Sequence, residues 1–242
     1  MPTMVAAQGI PSRCSDCVIR RAGLCRVLSP EEVGLLSTCA YHRSFAPGQL
    51  ILRSDDEPVF WGAVISGVVK LTKLLSDGRQ QIVELLFPAD FVGRPFSRQS
   101  PYFAEAATHT RLCCFKASEF EALVKRHHAL KQYMLESALS KIDAAHDWMV
   151  LLGRKTAAEK VASLLYLLAT RGAPDQERLR AGDPAPSFRL HLKREEMASF
   201  LGLTYETVVR QIKSLSKAGI ICLDGKREFC VPDLHALQRA AG

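Results

Sequence analysis

The 242 residues hold no apolar run long enough to cross a bilayer as a helix. Met1 to Pro11 lacks the basic start and apolar block of a secretory signal peptide. The chain is therefore expected in the cytoplasm, where its eight cysteines stay reduced. No paired catalytic acids, nucleophile elbow or glycine-rich phosphate loop is present, which sets aside the enzyme classes built on them. Apolar content of 48% and charged content of 24% are ordinary for a globular protein, and the length accommodates two modest domains.

What is present begins with sulfur. Arg13-Cys14-Ser15-Asp16-Cys17, continued to Cys25, sets three cysteines within twelve residues, and a fourth candidate waits at Cys113 or Cys114. The two-residue spacer turns Cys14 and Cys17 toward one centre, and Val18 to Leu24 is long enough to bring Cys25 back to it. Three local thiolates and one remote one suit an iron–sulfur cluster or zinc. Zinc sites usually pair their ligands two and two, so the three-plus-one spacing favours a cluster. Unligated thiols or redox disulfides are the remaining reading. Cys39 is expected to be a small core residue.

Ser29-Pro30-Glu31-Glu32 predicts a helix start, with Val33, Leu35, Leu36 and Cys39 facing inward. From Tyr41 to Phe115 the pattern becomes short strands: Phe60 to Ile65, Val68 to Leu75 and Gln80 to Phe87, with turns at Ser66-Gly67 and Asp77-Gly78. This spacing predicts a small antiparallel barrel or roll. Ser118 to Gly153 reads as helix throughout, with Met134, Ala138, Ile142, Ala145, Met149 and Leu152 along one side. So narrow a stripe on so long a helix predicts pairing with a second copy of the chain.

The net charge is +7, and from Arg154 onward 15 Lys and Arg stand against 10 Asp and Glu, so +5 of it lies in the last third. That asymmetry points to a nucleic-acid partner for this portion. Arg194 to Phe200 predicts a short helix, Leu201-Gly202-Leu203 a turn, and Thr204 the cap of a second helix, Tyr205 to Lys217, that ends at Gly219. Met197, Leu201, Leu203, Val208, Ile212 and Leu215 form the apolar wedge between them. This is the grammar of a helix-turn-helix. Ile220 to Leu223 and Glu228 to Val231 flank Asp224-Gly225-Lys226-Arg227, a hairpin with a basic tip that adds a wing. Glu206, Val209, Arg210 and Lys213 share the outward face of the second helix, where Glu206 can accept from cytosine and Arg210 can fork onto guanine or phosphate.

Leu201-Gly202-Leu203-Thr204 with Glu206-Thr207-Val208 and Arg210 resembles the recognition helix of the CRP/FNR superfamily of bacterial transcription regulators. The amino-terminal cysteines resemble its FNR branch. The spacing from Cys17 to Cys25 and the run Asp143 to Met149 through Gly153-Arg154-Lys155-Thr156 are similar to the FnrL-like regulators of alphaproteobacteria. The resemblance implies an α+β chain: a cysteine segment over residues 1–26, a cyclic-nucleotide-binding-like β-roll over 27–117, a dimerisation helix over 118–153 and a winged helix-turn-helix over 154–242. It implies an oxygen-sensing [4Fe–4S] cluster, one per subunit, on Cys14, Cys17, Cys25 and Cys113, the last chosen over Cys114 by counting back from the following helix. It implies a homodimer on a palindromic, FNR-box-like double-stranded DNA site, with Thr204, Glu206, Thr207, Val209, Arg210 and Lys213 toward the DNA. The hairpin tip Asp77-Gly78-Arg79 is an expected contact for RNA polymerase.

The superfamily's cyclic-nucleotide binders carry a Gly-Glu and a downstream Arg-Ser pair. Here those stretches read Phe91-Val92-Gly93-Arg94-Pro95 and Ala104-Glu105-Ala106, so no cyclic nucleotide is expected. Two positions depart from the branch. Serine is usual where Val209 stands, which removes a hydroxyl at one base of the expected TTGAT half-site. Some relatives have an acidic residue where Ala145 stands, so pairing here is implied to depend less on the cofactor. The rival readings are an iron–sulfur electron carrier, which leaves the helix-turn-helix idle, a DNA-binding regulator with a structural zinc, and a haem- or ligand-gated member of the same fold.

Overall fold

The computed structural model describes residues 10–97, 99–172, 187–189, 192–224 and 228–242. It divides into two compact units, Met1–Val69 with Leu86–Ser140, and Lys70–Leu85 with Lys141–Gly242. The helices are α1 (Ser12–Ser15), α2 (Val18–Ala22), α3 (Pro30–Thr38), α4 (Ala117–Arg126), α5 (His128–Arg154), α6 (Ala157–Arg171), α7 (Arg194–Leu201), α8 (Tyr205–Lys217) and α9 (Leu234–Ala241). The strands are β1 (Ala40–Phe45), β2 (Leu50–Leu52), β3 (Phe60–Ser66), β4 (Val69–Leu74), β5 (Gln80–Leu86), β6 (Phe91–Val92), β7 (Phe103–Ala106), β8 (Thr110–Lys116), β9 (Ser187–Arg189), β10 (Cys222–Asp224) and β11 (Glu228–Cys230).

In the first unit β1, β8, β3 and β6 form an antiparallel sheet in that order, and β2 pairs with β7. Gly93 is required at the end of β6. Its φ is +120°, and a Cβ there would meet Trp61 Cε3 at 2.2 Å. The amino-terminal segment, expected to have little regular structure, folds into α1, α2 and a 3-10 turn at Leu24–Val27. Its apolar residues explain the difference. Ile19 and Leu24 are fully buried in one core with Val33, Leu36, Trp61, Phe115, Phe120 and Leu130, and burying such a side chain is worth about 1.5–3 kcal/mol. Ser29 caps α3 in a reciprocal box with Glu32. Leu35, expected inward, is 49% exposed. Gly34 and Ser37 take the inner positions, the Ser37 hydroxyl donating to Gly34 O at 2.6 Å.

The helix predicted over Ser118 to Gly153 is broken at His127, where the backbone is extended between α4 and α5. No proline or glycine causes this. His127 Nδ1 is bonded to Glu32 Oε1 at 2.7 Å, so a tertiary contact with the α3 cap holds the break.

The second unit contains the β4–β5 hairpin, the carboxyl half of α5 and everything after it. Lys70 of β4 pairs with Glu196 of α7. Gln81 Nε2 donates to Ser199 O at 2.6 Å, and the Ser199 hydroxyl donates to Gln80 O at 3.1 Å. Trp148 of α5 stacks on Phe200 of α7 with ring centroids 4.2 Å apart. Thr156 and Glu159 cap α6 reciprocally. The terminal helix α9, which the sequence pattern did not predict, packs on α6, and Lys155 Nζ donates to Ala241 O at 2.6 Å. Strands β10, β11 and β9 pair antiparallel in that order. The basic tip over 225–227 and the loop over 173–186 lie outside the described residues.

Candidate cofactor pocket and nucleic-acid interface

Cys14 ends a turn held by its N–H to Pro11 O at 2.8 Å, Cys17 caps α2, and Cys25 lies in the 3-10 turn that Ile19 and Leu24 anchor to the core. Cys113 sits on β8, opposite His42 on one neighbouring strand and Ala63 on the other. These four cysteines line one small pocket, together with Arg13, Arg20 and His42 among others. Cys114, one residue on, is fully buried and does not line it, as alternation along a strand requires. Cys39 is half-buried, its thiol directed at Leu36 O at 3.1 Å.

Arg13 comes to the pocket with its chain neighbour Cys14, whereas the fold brings Arg20 and His42 there, which the cysteine spacing did not single out. Arg13 Nη2 donates to Ser37 O at 2.5 Å, and Arg20 Nη1 donates to Cys25 O at 3.2 Å. Burial pushes the Cys25 thiol up to about 12, with the neighbouring Cys17 and Cys14 adding to it and Arg20 opposing. Cys113 is raised by burial first and by Cys25 next, and Cys14 by burial and Cys17. The His42 imidazole is pushed down by burial, then by Arg111 and Arg13. Such thiols are protonated by themselves, and a cationic centre, if bound, would displace their protons.

Among the described residues, no three Cys, His, Asp or Glu side chains are grouped so as to hold a metal ion. The four thiols share the lining of one pocket. A single tetrahedral zinc needs every sulfur at about 2.3 Å. The donor set is soft and four-fold, a chemistry that would accommodate an iron–sulfur cluster or a zinc ion.

In the second unit α7 and α8 meet through Met197, Leu201, Val208 and Ile212, each almost fully buried. Gly202 closes α7 in the left-handed region, at φ +61°. Thr204 caps α8 by accepting from the Thr207 N–H at 3.3 Å, and its hydroxyl donates to Thr207 Oγ1 at 3.1 Å, so both threonines also serve the turn. Glu206, Arg210 and Lys213 are exposed on one side of α8, and Val209 between them is half-buried. Tyr205, 46% exposed at the first position of α8, stands four residues before Val209 and was not among the expected contacts.

Two family models match the chain. The cyclic nucleotide-binding domain matches residues 42–127, and the Crp-like helix-turn-helix domain matches residues 159–240. The transcriptional activator protein FnrL of Cereibacter sphaeroides is 44% identical over 230 residues, covering 95% of this chain and 92% of its own. The chain belongs to the CRP/FNR family of transcription regulators. The nitrogen fixation regulation protein FixK of Bradyrhizobium diazoefficiens is 33% identical over 227 residues, covering 92% of this chain and 91% of its own. The solved structure of FixK2 from Bradyrhizobium japonicum superposes with a TM-score of 0.72 at 29% identity, covering 84% of this chain and 98% of that one. Membership makes the chain a DNA-binding transcription regulator of the activator type and not an enzyme. Its β-roll, long helix and helix-turn-helix are those of the family. No helix among the described residues is long and apolar enough to cross a membrane.

Within a family helix-turn-helix, the outward face of α8 leads to a sharp expectation. Arg210→Ala should weaken binding by about 1–3 kcal/mol and relax the preference at one base pair, as loss of a bidentate contact does. Anisotropy titrations against sites varied at each position check this. Uniform weakening on every sequence would mean that Arg210 touches phosphate alone.

The α5 stripe is only partly the one expected. Ala138, Ile142, Ala145 and Met149 are exposed, while Met134 and Leu152 are half-buried. Leu135, Leu139 and Val150, not in the predicted stripe, are 62%, 53% and 59% exposed beside Ile142 at 50% and Met149 at 67%. The exposed apolar face thus keeps Ile142 and Met149 of the expected stripe and adds Leu135, Leu139 and Val150.

Proposed function

We propose that this chain is an oxygen-responsive transcription regulator that binds palindromic, FNR-box-like DNA as a homodimer. In this reading Cys14, Cys17, Cys25 and Cys113 hold one [4Fe–4S] cluster per subunit, and DNA binding is lost when oxygen degrades it. The single observation that carries the reading is the pocket the four thiols line together. When bound, the cluster supplies an oxygen-labile anchor shared by sulfurs from two distant parts of the chain.

The protein's own residues then transmit that anchor. Ile19 and Leu24 tie the cysteine segment into the core that contains Leu130 and, at its edge, Tyr133 of α5. Arg26 lies over the Tyr133 ring, 5.6 Å from its centroid. Bracing this end of α5 favours pairing of two copies along Leu135, Leu139, Ile142 and Met149, which removes the exposed apolar face from water. At the far end of α5 the Trp148–Phe200 stack joins the helix to α7. Pairing sets two α8 helices in successive major grooves, roughly 34 Å apart. The regulator acts in the cytoplasm, without a cyclic nucleotide.

Protein purified under nitrogen should be brown, with absorbance at about 400 nm, and should shift a palindromic site. Exposure to air should bleach it and end the shift. A colourless protein carrying zinc, or an unchanged shift in air, would overturn the reading.

Contact with RNA polymerase is proposed at the β4–β5 tip. Asp77 accepts from both the backbone N–H and Nε of Arg79, at 3.0 and 2.8 Å, which presents the two charges together in solvent. Reversing both, Asp77→Arg with Arg79→Asp, should lower activated transcription in vitro several-fold while the DNA shift is unchanged. Equal transcription would remove this contact.

A further inference from the structure

The β4–β5 hairpin grips α7 near both of its ends. In the first turn of α7, Glu196 is paired with Lys70 of β4. The two side chains are only 12% and 21% exposed, so water and salt screen this pair far less than the open Asp77–Arg79 pair at the hairpin tip. Through its other oxygen the Glu196 carboxylate accepts from the Lys193 N–H at 2.8 Å, and so it also closes the start of the helix. In the last turn the Ser199 carbonyl is one of four that α7 cannot satisfy by itself. Gln81 of β5 donates to it, and the Ser199 hydroxyl donates back to the Gln80 carbonyl. The hairpin is tied in turn to α5, where Lys141 Nζ donates to Glu84 Oε1 at 2.8 Å.

These contacts leave the outward face of α8 open. Met197 and Leu201, four apart, turn toward α8, whereas Glu196 and Ser199, three apart, meet the hairpin. Glu206, Arg210 and Lys213 remain exposed. The hairpin is therefore a brace on α7 and not a lid over α8. Because α8 shares a packed apolar contact with α7, a tilt of one carries the other with it.

We propose that Lys70, Gln81 and Ser199 are positioning residues for DNA binding, holding α7 so that α8 meets the major groove in the orientation its outward face needs. The inference depends on DNA binding by the chain and not on what the thiol pocket holds. None of the three residues touches DNA in this scheme, so their loss changes how well the reading face is presented and not how many phosphates are contacted.

The test uses full-length protein under nitrogen and a fluorescent palindromic duplex. Lys70→Met should bind about 5–150-fold more weakly, the range of a coupling between two sites. Lys70→Arg, which keeps the charge, should recover most of the affinity. Glu196→Gln keeps an acceptor for the Lys193 N–H, and the Lys70→Met, Glu196→Gln double variant should be no weaker than Lys70→Met alone, because the pair is already broken. Gln81→Ala, which loses one neutral hydrogen bond, should cost about two- to ten-fold. In every variant the slope of log affinity against log salt should match wild type, and amide exchange should quicken in α7 and α8 alone. Unchanged affinity in Lys70→Met, additive losses in the double variant, or exchange quickened throughout the chain would overturn the proposal. So would a salt slope lowered by about 0.9, which would mean that Lys70 itself contacts a phosphate.

Discussion

Cys25→Ala protein prepared under nitrogen should lack the absorbance at about 400 nm and should bind its DNA site at least about 10³-fold more weakly, near the level of non-specific binding. The substitution removes a sulfur from the pocket and little else. The backbone of the 3-10 turn is held by Leu28 N–H to Cys25 O and by Arg20 to the same carbonyl, and the anchors Ile19 and Leu24 stay buried. The loss in folding stability is therefore expected to be about 1 kcal/mol, visible as a small change in melting temperature and too small to explain the loss of binding. The strand pair sharpens the comparison. Cys113→Ser should behave like Cys25→Ala, since Cys113 lines the pocket, whereas Cys114→Ser should keep the colour and the DNA shift. If the Cys25→Ala protein binds DNA as tightly as wild type without oxygen, the four-thiol pocket does not control binding.

The second large effect lies on α5. Leu139 and Ile142 are 53% and 50% exposed on the broad apolar face. Placing a carboxylate there, as in Ile142→Glu, leaves the single chain folded, because its own core does not use that side. In a symmetric dimer the same change buries two like charges near the axis. An uncompensated buried charge costs about 3–5 kcal/mol, so the dimer constant should weaken on the order of 10²–10³-fold. Sedimentation velocity should then report a monomer at micromolar concentration, and DNA binding should fall with it, because each half-site alone contributes only part of the phosphate contacts. Ile142→Leu should leave the dimer intact. A dimer that survives Ile142→Glu would place the interface elsewhere.

The local grammar of the chain was legible where neighbouring residues decide the outcome. Ser29 with Glu32, Thr204 with Thr207, and Gly202 at φ +61° are caps and turns whose partners lie within three residues. The cysteine spacing likewise keeps Cys14, Cys17 and Cys25 close together, and they line one pocket. Where the sequence pattern misled, the cause lay at long range. A continuous helix was expected across His127, but Glu32, far back in the chain, holds that residue and the helix breaks. The stripe expected on α5 left out the exposed Leu135, Leu139 and Val150, because which side of a helix remains uncovered depends on what the rest of the chain packs against it.

The sequence by itself determined the strand-rich middle of the chain, the spacing of the amino-terminal cysteines, and the helix-turn-helix with the outward face of α8. These rest on periodicity, capping and turn preference, which act over a few residues. Tertiary structure alone decided that Cys113 stands opposite His42, that it lines one pocket with Cys14, Cys17 and Cys25, and that Arg20 borders the same pocket. Strand register makes those choices, and register is settled by pairing between segments far apart in the chain.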